Sequence, residues 1–257
     1  MKITFIGTSS GKASLERFHS SLLFSSKDYS LLIDAGDGIS RALLVNQINF
    51  NLINGIIFTH LHPDHFSGLP ALIVQMKMMN RTEPLEIYIH QSLVNVVEDF
   101  LVQTYLLPEK MKFEIRYRTY KDNERVKISN DFYFMARKNS HLVELEKYKV
   151  KYSSISLYSA SLLFEIEGKK IIYTSDISSL EDLFLFNEFS SDIFISEGTH
   201  LQHSVLIEAI SKIETRKIYL THFSDEDFQM IDEILATITT HLKNKIIIAN
   251  DGLTFEI

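Results

Sequence analysis

The chain has 257 residues, of which 45% are hydrophobic and 23% are charged, and it carries a formal net charge of −7. This length and apolar content allow one domain, residues 1–257, to bury a large core, while the acidic charge argues against a general nucleic-acid surface. The absence of cysteine excludes disulfide bonds and thiolate ligands, and no apolar run matches a signal peptide or a membrane span, so we expect a cytoplasmic protein.

Three strands and one helix are predicted before residue 50. Short apolar runs predict strands at residues 2–6, 21–24 and 30–33. Asp37 follows the third strand and is a residue type that favours helix N-caps. We therefore expect it to cap a helix whose apolar face begins at Ile39.

Three histidines and one aspartate then follow a short apolar run within six residues. Because alternate residues of a strand lean the same way, His60 and His62 can face one cation. Pro63 is expected to stop the strand and form a turn, which leaves Asp64 and His65 free to face a second point. Neutral imidazole and carboxylate are ligands that zinc prefers, so this stretch predicts a metal site at a strand end.

Helices and strands alternate through the middle of the chain. Apolar spacing predicts a helix over residues 68–79, a strand over 85–90 and an amphipathic helix over 93–101. Residues 111–135 alternate as strands, with basic side chains dispersed among acidic ones. That pattern is typical of a solvated sheet face.

Three further candidate ligands lie far from the first four in sequence. His141, Asp176 and His222 each lie at or just beyond the end of an apolar run. Open sheets gather their sites at the carboxyl ends of strands, so we expect these residues to approach the histidine-rich stretch. The strands that precede them are predicted at residues 132–136, 170–174 and 217–221.

The remaining elements continue this alternation. A hairpin through Gly168 is predicted to join strands 161–167 and 170–174. A buried strand over residues 192–196 leads to an amphipathic helix that contains Val205 and Leu206. The chain is predicted to end with a helix over residues 228–241 and with strands over 245–249 and 254–257.

The seven candidate ligands, in this order and at strand ends, resemble the metallo-β-lactamase superfamily. The resemblance implies an α/β fold, a four-layer αββα sandwich of two mixed sheets flanked by helices. It implies two divalent metal ions, zinc with manganese or iron as alternatives, and it implies that Asp34 supports the metal histidines without being a ligand. The implied ligands are His60, His62 and His141 for one metal, Asp64, His65 and His222 for the other, and Asp176 for both.

Two other stretches resemble the ribonuclease Z branch of this superfamily. One is the opening loop, with Gly7-Thr8-Ser9 and an arginine followed by a serine pair. The other is Glu197 with His203-Ser204 at the start of a helix. The resemblance implies that His203, oriented by Glu197, protonates the leaving oxygen, with His200 as a rival. Asp64 can accept or hold a proton of the attacking water while it binds the metal.

The interval between His141 and Asp176 departs from that branch. Ribonuclease Z enzymes commonly insert a long arm rich in glycine and proline there to grip tRNA, whereas this interval contains one glycine, Gly168, and no proline. A compact substrate is therefore favoured over tRNA. Since ribonuclease Z-like proteins are often homodimers, a homodimer is also expected.

Taken together, the residues and the resemblance predict a dizinc phosphodiesterase that uses a hydroxide shared by the two metals. Its substrate would be either an RNA 3′ end, as for a tRNA 3′ endonuclease, or a small or cyclic phosphodiester. The alternative is a thioester or lactone hydrolase on the same fold. A di-iron redox protein fits less well, because flavodiiron proteins carry a carboxylate where this chain has His62. A metal-dependent sensor without catalysis is the fourth hypothesis.

Overall fold

The fold is a sandwich of two seven-stranded sheets, seen in a computed structural model that describes residues 1–238 and 240–257. Helices cover the outer faces of both sheets, which confirms the predicted α/β sandwich of two mixed sheets. The strands are β1 (Lys2–Gly7), β2 (Ser21–Ser25), β3 (Ser30–Ile33), β4 (Gly55–Ile57), β5 (Leu85–His90), β6 (Ile115–Tyr120), β7 (Val126–Ser129), β8 (Phe132–Lys138), β9 (Ala160–Ile166), β10 (Lys169–Tyr173), β11 (Ser191–Glu197), β12 (Thr215–Thr221), β13 (Ile246–Ile248) and β14 (Thr254–Glu256).

The helices are short, and most follow a strand directly. Four segments form single 3₁₀ turns or short 3₁₀ helices, at Phe50–Leu52, Pro108–Lys110, Val143–Tyr148 and Leu180–Phe184. No helix among the described residues is long and apolar enough to cross a bilayer. The α-helices are α1 (Ile39–Val45), α2 (Pro63–Phe66), α3 (Leu69–Met78), α4 (Val94–Gln103), α5 (His203–Ser211), α6 (Asp225–Thr237) and α7 (Thr240–Lys245).

The two sheets have the same pattern of parallel and antiparallel strand pairs. The first has the order β14-β1-β2-β3-β4-β5-β6 and the second has the order β13-β12-β11-β10-β9-β8-β7. In each sheet three neighbouring pairs are antiparallel and three are parallel. The parallel part of each sheet directs the carboxyl ends of its strands toward one edge of the sandwich, which is where polar loops are available for a site.

Apolar side chains fill both the space between the sheets and the space beneath the helices. Between the sheets, the rings of Phe24 and Phe164 have centroids 5.0 Å apart, in an edge-to-face arrangement. A second cluster lies on the outer face of the second sheet, where Leu206 of α5 and Ile231 of α6 are fully buried. Burial of each such side chain stabilises the folded state by about 1.5–3 kcal/mol. This packing holds in place the strands whose ends carry the polar loops.

Two predicted helix starts differ from the structure. Asp37 is exposed and does not cap α1, whose N-cap is Gly38 in the left-handed region with φ 76°. Pro63 does not form a simple turn but begins α2, because proline fits the first helical position, where no backbone donor is needed. The helix predicted over residues 228–241 is represented by α6 and α7, and Thr239 lies outside the described residues.

Candidate metal centre

The seven predicted ligands lie together at one edge of the sandwich, although they come from four separate loops. These loops follow β4, β8, β10 and β12. The strands β8 and β10 run in the same direction because both are antiparallel to β9, so their carboxyl ends meet at this edge. The residues brought together are His60, His62, Asp64, His65, His141, Asp176 and His222.

Three imidazoles and one carboxylate oxygen form a first group of ligand atoms. His62 Nδ1 lies 3.1 Å from His60 Nε2 and 3.1 Å from His141 Nε2. Asp176 Oδ2 lies 3.9 Å from His60 Nε2 and 3.6 Å from His141 Nε2. Since all four atoms lie within 4.8 Å of one another, one cation could contact them all.

Two imidazoles and two carboxylates form a second group. His65 Nε2 and His222 Nε2 are 3.3 Å apart, and each lies 3.4 Å from Asp64 Oδ2. Each also lies 3.3 Å from Asp176 Oδ1. The two oxygens of Asp176 therefore face different groups, which is the arrangement that a bridging ligand requires.

The surroundings of the Asp176 carboxylate indicate that both groups suit cations. Its Oδ1 atom is buried and forms no hydrogen bond within the described part of the chain. A buried carboxylate oxygen without a partner is costly unless a positive charge lies near it. Imidazole nitrogen and carboxylate oxygen are donors that suit zinc and similar divalent ions.

The electrostatics of the first group favour metal binding at neutral pH. Burial lowers the pKa of His60 and of His62, and it lowers the pKa of His141 to about 4. These imidazoles are therefore neutral at pH 7 and keep a lone pair for a cation. Burial alone would raise the pKa of Asp176, but the surrounding imidazoles hold it well below its usual range, so this carboxylate is ionised.

Asp34 supports two of the candidate ligand histidines, His65 directly and His60 through Thr59. Its fully buried carboxylate accepts hydrogen bonds from His65 Nδ1 and from Thr59 Oγ1, both at 2.8 Å. Thr59 Oγ1 in turn lies 3.0 Å from His60 Nδ1. Because these contacts occupy the Nδ1 atoms, the Nε2 atoms of His60 and His65 are left to face the ligand groups.

The backbone around the ligands is tightly constrained. Ser175 and His222 have φ values of 54° and 60°, in the left-handed region that costs a residue with a side chain about 1–3 kcal/mol. The surrounding strands hold both residues in this conformation. Gly36 packs against α2 so closely that an added Cβ would lie 1.8 Å from the backbone oxygen of Asp64. Glycine at this position is what lets the two loops approach each other.

The structure corrects the predicted pairing of Glu197 with His203. Glu197 Oε2 lies 3.3 Å from His200 Nδ1, whereas His203 Nε2 lies 3.5 Å from Asp227 Oδ1 on α6. His203 is the first residue of α5. Its side chain is buried because the ring packs toward α6. The ring of His200 instead has its centroid 4.9 Å from that of His141. His200, the rival in the sequence, is thus the histidine beside the ligand groups.

Glu197 also changes the charge of His200. Burial alone would lower the pKa of His200, but the hydrogen bond and the negative charge of Glu197 outweigh it and raise the pKa to about 9. Glu197 Oε2 additionally accepts hydrogen bonds from the backbone nitrogens of Thr199 and His200, at 2.6 and 3.1 Å. These bonds fold the loop after β11 around the carboxylate, which turns His200 toward the ligand groups.

Asn139 is a positioning residue that sequence reasoning missed. Its buried amide donates a 2.9 Å hydrogen bond to the backbone oxygen of Asp176, and its Oδ1 atom accepts one from the backbone nitrogen of His141. It therefore joins the loops after β8 and β10, each of which carries a candidate ligand. Its place two residues before His141 was the available signal, but a lone asparagine near a strand end is too common to be distinctive.

Comparison with known proteins identifies the family. The sequence profile of one protein family, anti-Pycsar protein Apyc1, matches residues 1–243. The chain belongs to the anti-Pycsar Apyc1 family. The Apyc1-family chain is also 26% identical to ribonuclease Z of Clostridium perfringens, in an alignment that covers 87% of this chain and 89% of that enzyme.

Solved structures share the fold of this Apyc1-family chain. The short form of human tRNase Z superposes with a TM-score of 0.73 at 21% identity, covering 100% of this chain and 99% of that one. Zinc-bound PqqB from Methylobacterium extorquens gives a TM-score of 0.73 at 16% identity, with 100% of each chain covered. Both similarities show the metallo-β-lactamase-like fold.

These comparisons decide between the classes of function that the sequence left open. The chain is a ribonuclease Z-like member of the metallo-β-lactamase superfamily and a metal-dependent phosphodiesterase. Its cluster of histidines and aspartates accords with divalent metal ions. The thioester, redox and sensor hypotheses are accordingly set aside for this Apyc1-family protein.

Proposed function

We propose that this protein hydrolyses small or cyclic phosphodiesters with two zinc ions. The observation that carries the proposal is the pair of ligand groups that share Asp176, one carboxylate oxygen to each. Two-metal hydrolases need two such groups side by side. We assign the ligands as predicted: His60, His62 and His141 to one ion, Asp64, His65 and His222 to the other, and Asp176 to both.

The protein groups have separate tasks in this reaction. Bound cations would lower the pKa of a water molecule and offset negative charge on a phosphate oxygen. Asp64, whose carboxylate is partly exposed beside the second group, accepts and holds a proton of the attacking water. His65 is kept in place by Asp34, so the water and the phosphorus stay aligned for attack.

His200 is our choice for the group that protonates the leaving oxygen. Its imidazole is 34% exposed at the mouth of the site and is held by Glu197, so it can reach a bound substrate. His203 has no comparable access, since its side chain is buried against α6. Glu197 keeps the positioning role that the sequence predicted for it, with a different histidine.

The proposed substrate is compact because the interval between His141 and Asp176, all of which the structure describes, contains no long arm. Residues 142–158 form a short 3₁₀ helix and a loop that run along the mouth. A net charge of −7 also weakens attraction to a large polyanion. The second candidate is cleavage at an RNA 3′ end, which the kinship with ribonuclease Z favours. Parallel assays of the zinc-loaded protein on pre-tRNA and on cyclic nucleotides distinguish the two.

Replacement of Asp64 tests the metal assignment. Asp64→Ala removes a ligand and the proton acceptor together, so hydrolysis of bis-p-nitrophenyl phosphate should fall about 1,000-fold or more. Mass spectrometry should find about two zinc ions per wild-type chain and fewer in the variant. Asp37→Ala, at an exposed aspartate, is the matched control and should change neither quantity. Unchanged turnover in Asp64→Ala would refute the assignment.

We also propose that the protein is a homodimer in the cytoplasm. Exposed apolar side chains on neighbouring elements support the dimer: Leu44 on α1 and Met78 on α3 are 61% and 73% exposed, and Leu52 lies beside them. Exposed apolar side chains that lie near one another often mark a protein–protein interface. The location in the cytoplasm stays a prediction from the sequence.

A further inference from the structure

A mainly apolar groove lies directly beside the candidate metal centre. Its volume is about 550 Å³, within the range of small-molecule sites. The candidate ligand His62 forms part of its wall, together with the adjacent Leu61. A phosphodiester held between the ligand groups would therefore have the groove within reach of one of its substituents.

The opposite wall comes from residues 142–158, and we call the whole cleft the 142–158 groove. Leu142 and Leu145 follow the candidate ligand His141, and Tyr152 and Ile155 form the outer part. At the inner end, Tyr158 stacks on His90 with ring centroids 3.7 Å apart and planes 6° apart. Its hydroxyl donates a 2.7 Å hydrogen bond to Asp122, so this part of the wall is fixed.

The residues that line the groove favour the binding of an uncharged, flat group. No lining residue is aspartate, glutamate, lysine or arginine, and the one histidine, His62, is neutral at pH 7 because burial lowers its pKa. A further phosphate of an RNA chain would thus find no cation in the groove. Tyr152 and Ile155 are 51% and 40% exposed, and a flat ring in the groove would cover both. Ser154 and Ser156 supply hydroxyls for polar atoms on the edge of that ring.

We infer that the 142–158 groove binds the nucleobase of a nucleoside phosphodiester whose phosphate lies at the metal centre, an inference that rests on the proposed function. Tyr152 is the stacking residue, and Ile155 packs against the same ring. The groove thereby determines which phosphodiesters are cleaved efficiently. Stacking on one aromatic side chain is worth about tenfold or more in affinity for each base.

A fluorescence titration tests the inference without relying on catalysis. The chain has no tryptophan, so Tyr152→Trp creates a single reporter in the groove. We expect adenosine 3′,5′-cyclic phosphorothioate, which is hydrolysed slowly, to quench the fluorescence of the zinc-loaded variant saturably. The ribose cyclic phosphorothioate without a base should leave it unchanged. Tyr105→Trp, at a residue that is 87% exposed and outside the groove, is the control and should respond to neither.

Kinetics supply the second test. Tyr152→Ala should raise KM for a cyclic nucleotide about tenfold, with little change in kcat, and should leave cleavage of the base-free ribose cyclic phosphate unaffected. Tyr148→Ala removes a similar side chain from the same segment but outside the groove, and should leave both substrates unaffected.

The results separate the inference from the proposed function. Equal quenching by the base-free analogue, or no quenching by the nucleotide, overturns the role of the groove. Equal losses for both substrates in Tyr152→Ala also overturn it. A zinc-loaded wild-type protein that cleaves neither substrate contradicts the proposed function, while the titration still decides whether the groove binds a base.

Discussion

At the scale of single residues, the carboxylate of Asp176 has one oxygen near each group of histidines. Asn139 binds the backbone of the same residue and also that of His141. The position of the carboxylate is therefore set by hydrogen bonds to its loop, and its ionisation is set by the imidazoles around it. As the shared ligand that we propose, Asp176 would couple the two metal positions, so occupancy of one is expected to favour the other.

Leaving-group chemistry distinguishes His200 from His203. His200→Gln should slow the hydrolysis of substrates with alkoxide leaving groups about 100-fold, because general acid catalysis contributes on that order. The loss should be far smaller for bis-p-nitrophenyl phosphate, whose leaving group needs little protonation. His203→Gln is the comparison variant and should affect both substrates alike. Initial rates at saturating zinc measure this, and equal losses for both substrates in His200→Gln would remove the proposed role.

The clustering of the candidate ligands followed from the sequence more directly than the contacts of their neighbours did. His60, His62, Asp64 and His65 lie so close together that their types and spacing indicate a metal site without a fold. The choice between His200 and His203 was different, because both lie within six residues of Glu197. The backbone bonds from Thr199 and His200 to that carboxylate decide the outcome, and no local pattern reveals them.

At the scale of elements, the contact between the β3–α1 turn and α2 places the second ligand group. Gly36 touches the backbone of Asp64, and an added Cβ at Gly68 would lie 2.0 Å from the backbone oxygen of Gly36. The three backbones pack without side chains between them. Strand β3 is thereby tied to the helix that carries Asp64 and His65.

Gly36→Ala tests this contact. The new methyl group must push α2 away, so we expect a loss of stability of about 1–3 kcal/mol and weaker zinc binding. Urea denaturation and zinc titration measure the two effects. Gly168→Ala is the control, because its Cβ would meet nothing within 4 Å but its φ of 78° disfavours alanine. It should cost stability without loss of zinc, and wild-type zinc affinity in Gly36→Ala would contradict the proposed contact.

Strands were easier to predict than short helices. Buried strands such as β2 and β3 contain uninterrupted apolar runs next to polar residues, so their bounds follow from composition. The helix α2 has four residues and begins with Pro63, which is equally compatible with a turn. Its formation depends on packing against Gly36, which lies 27 positions earlier in the chain.

At the scale of the whole molecule, the assignment of residues 1–257 to one domain stays a prediction. Side chains from both sheets form one continuous apolar cluster, which supports it. A chain with one shared core should unfold in a single cooperative step. Calorimetry should therefore give a van't Hoff enthalpy equal to the calorimetric enthalpy for the metal-free protein, and two resolved transitions would contradict the assignment.

The oligomeric state is tested by placing charge in the exposed apolar patch. Met78→Glu should turn the proposed dimer into a monomer, because an unpaired carboxylate would be buried at the interface. Light scattering coupled to gel filtration gives the masses, with wild type at twice the chain mass. Tyr105→Glu, at a residue that is 87% exposed and lies just after α4, should leave the mass unchanged. A monomeric wild-type protein would disprove the proposal.

The pairing of the first strand with the last could not be predicted from the sequence. The final strand β14 pairs with the first, β1, so that Thr254 lies beside Thr4. The nascent chain therefore exposes one edge of β1 until residues 254–256 have been synthesised and can pair with it. During that time a neighbouring chain on the same messenger offers an alternative partner for the open edge. Productive folding consequently requires β14 to pair with β1 before another copy of the chain does.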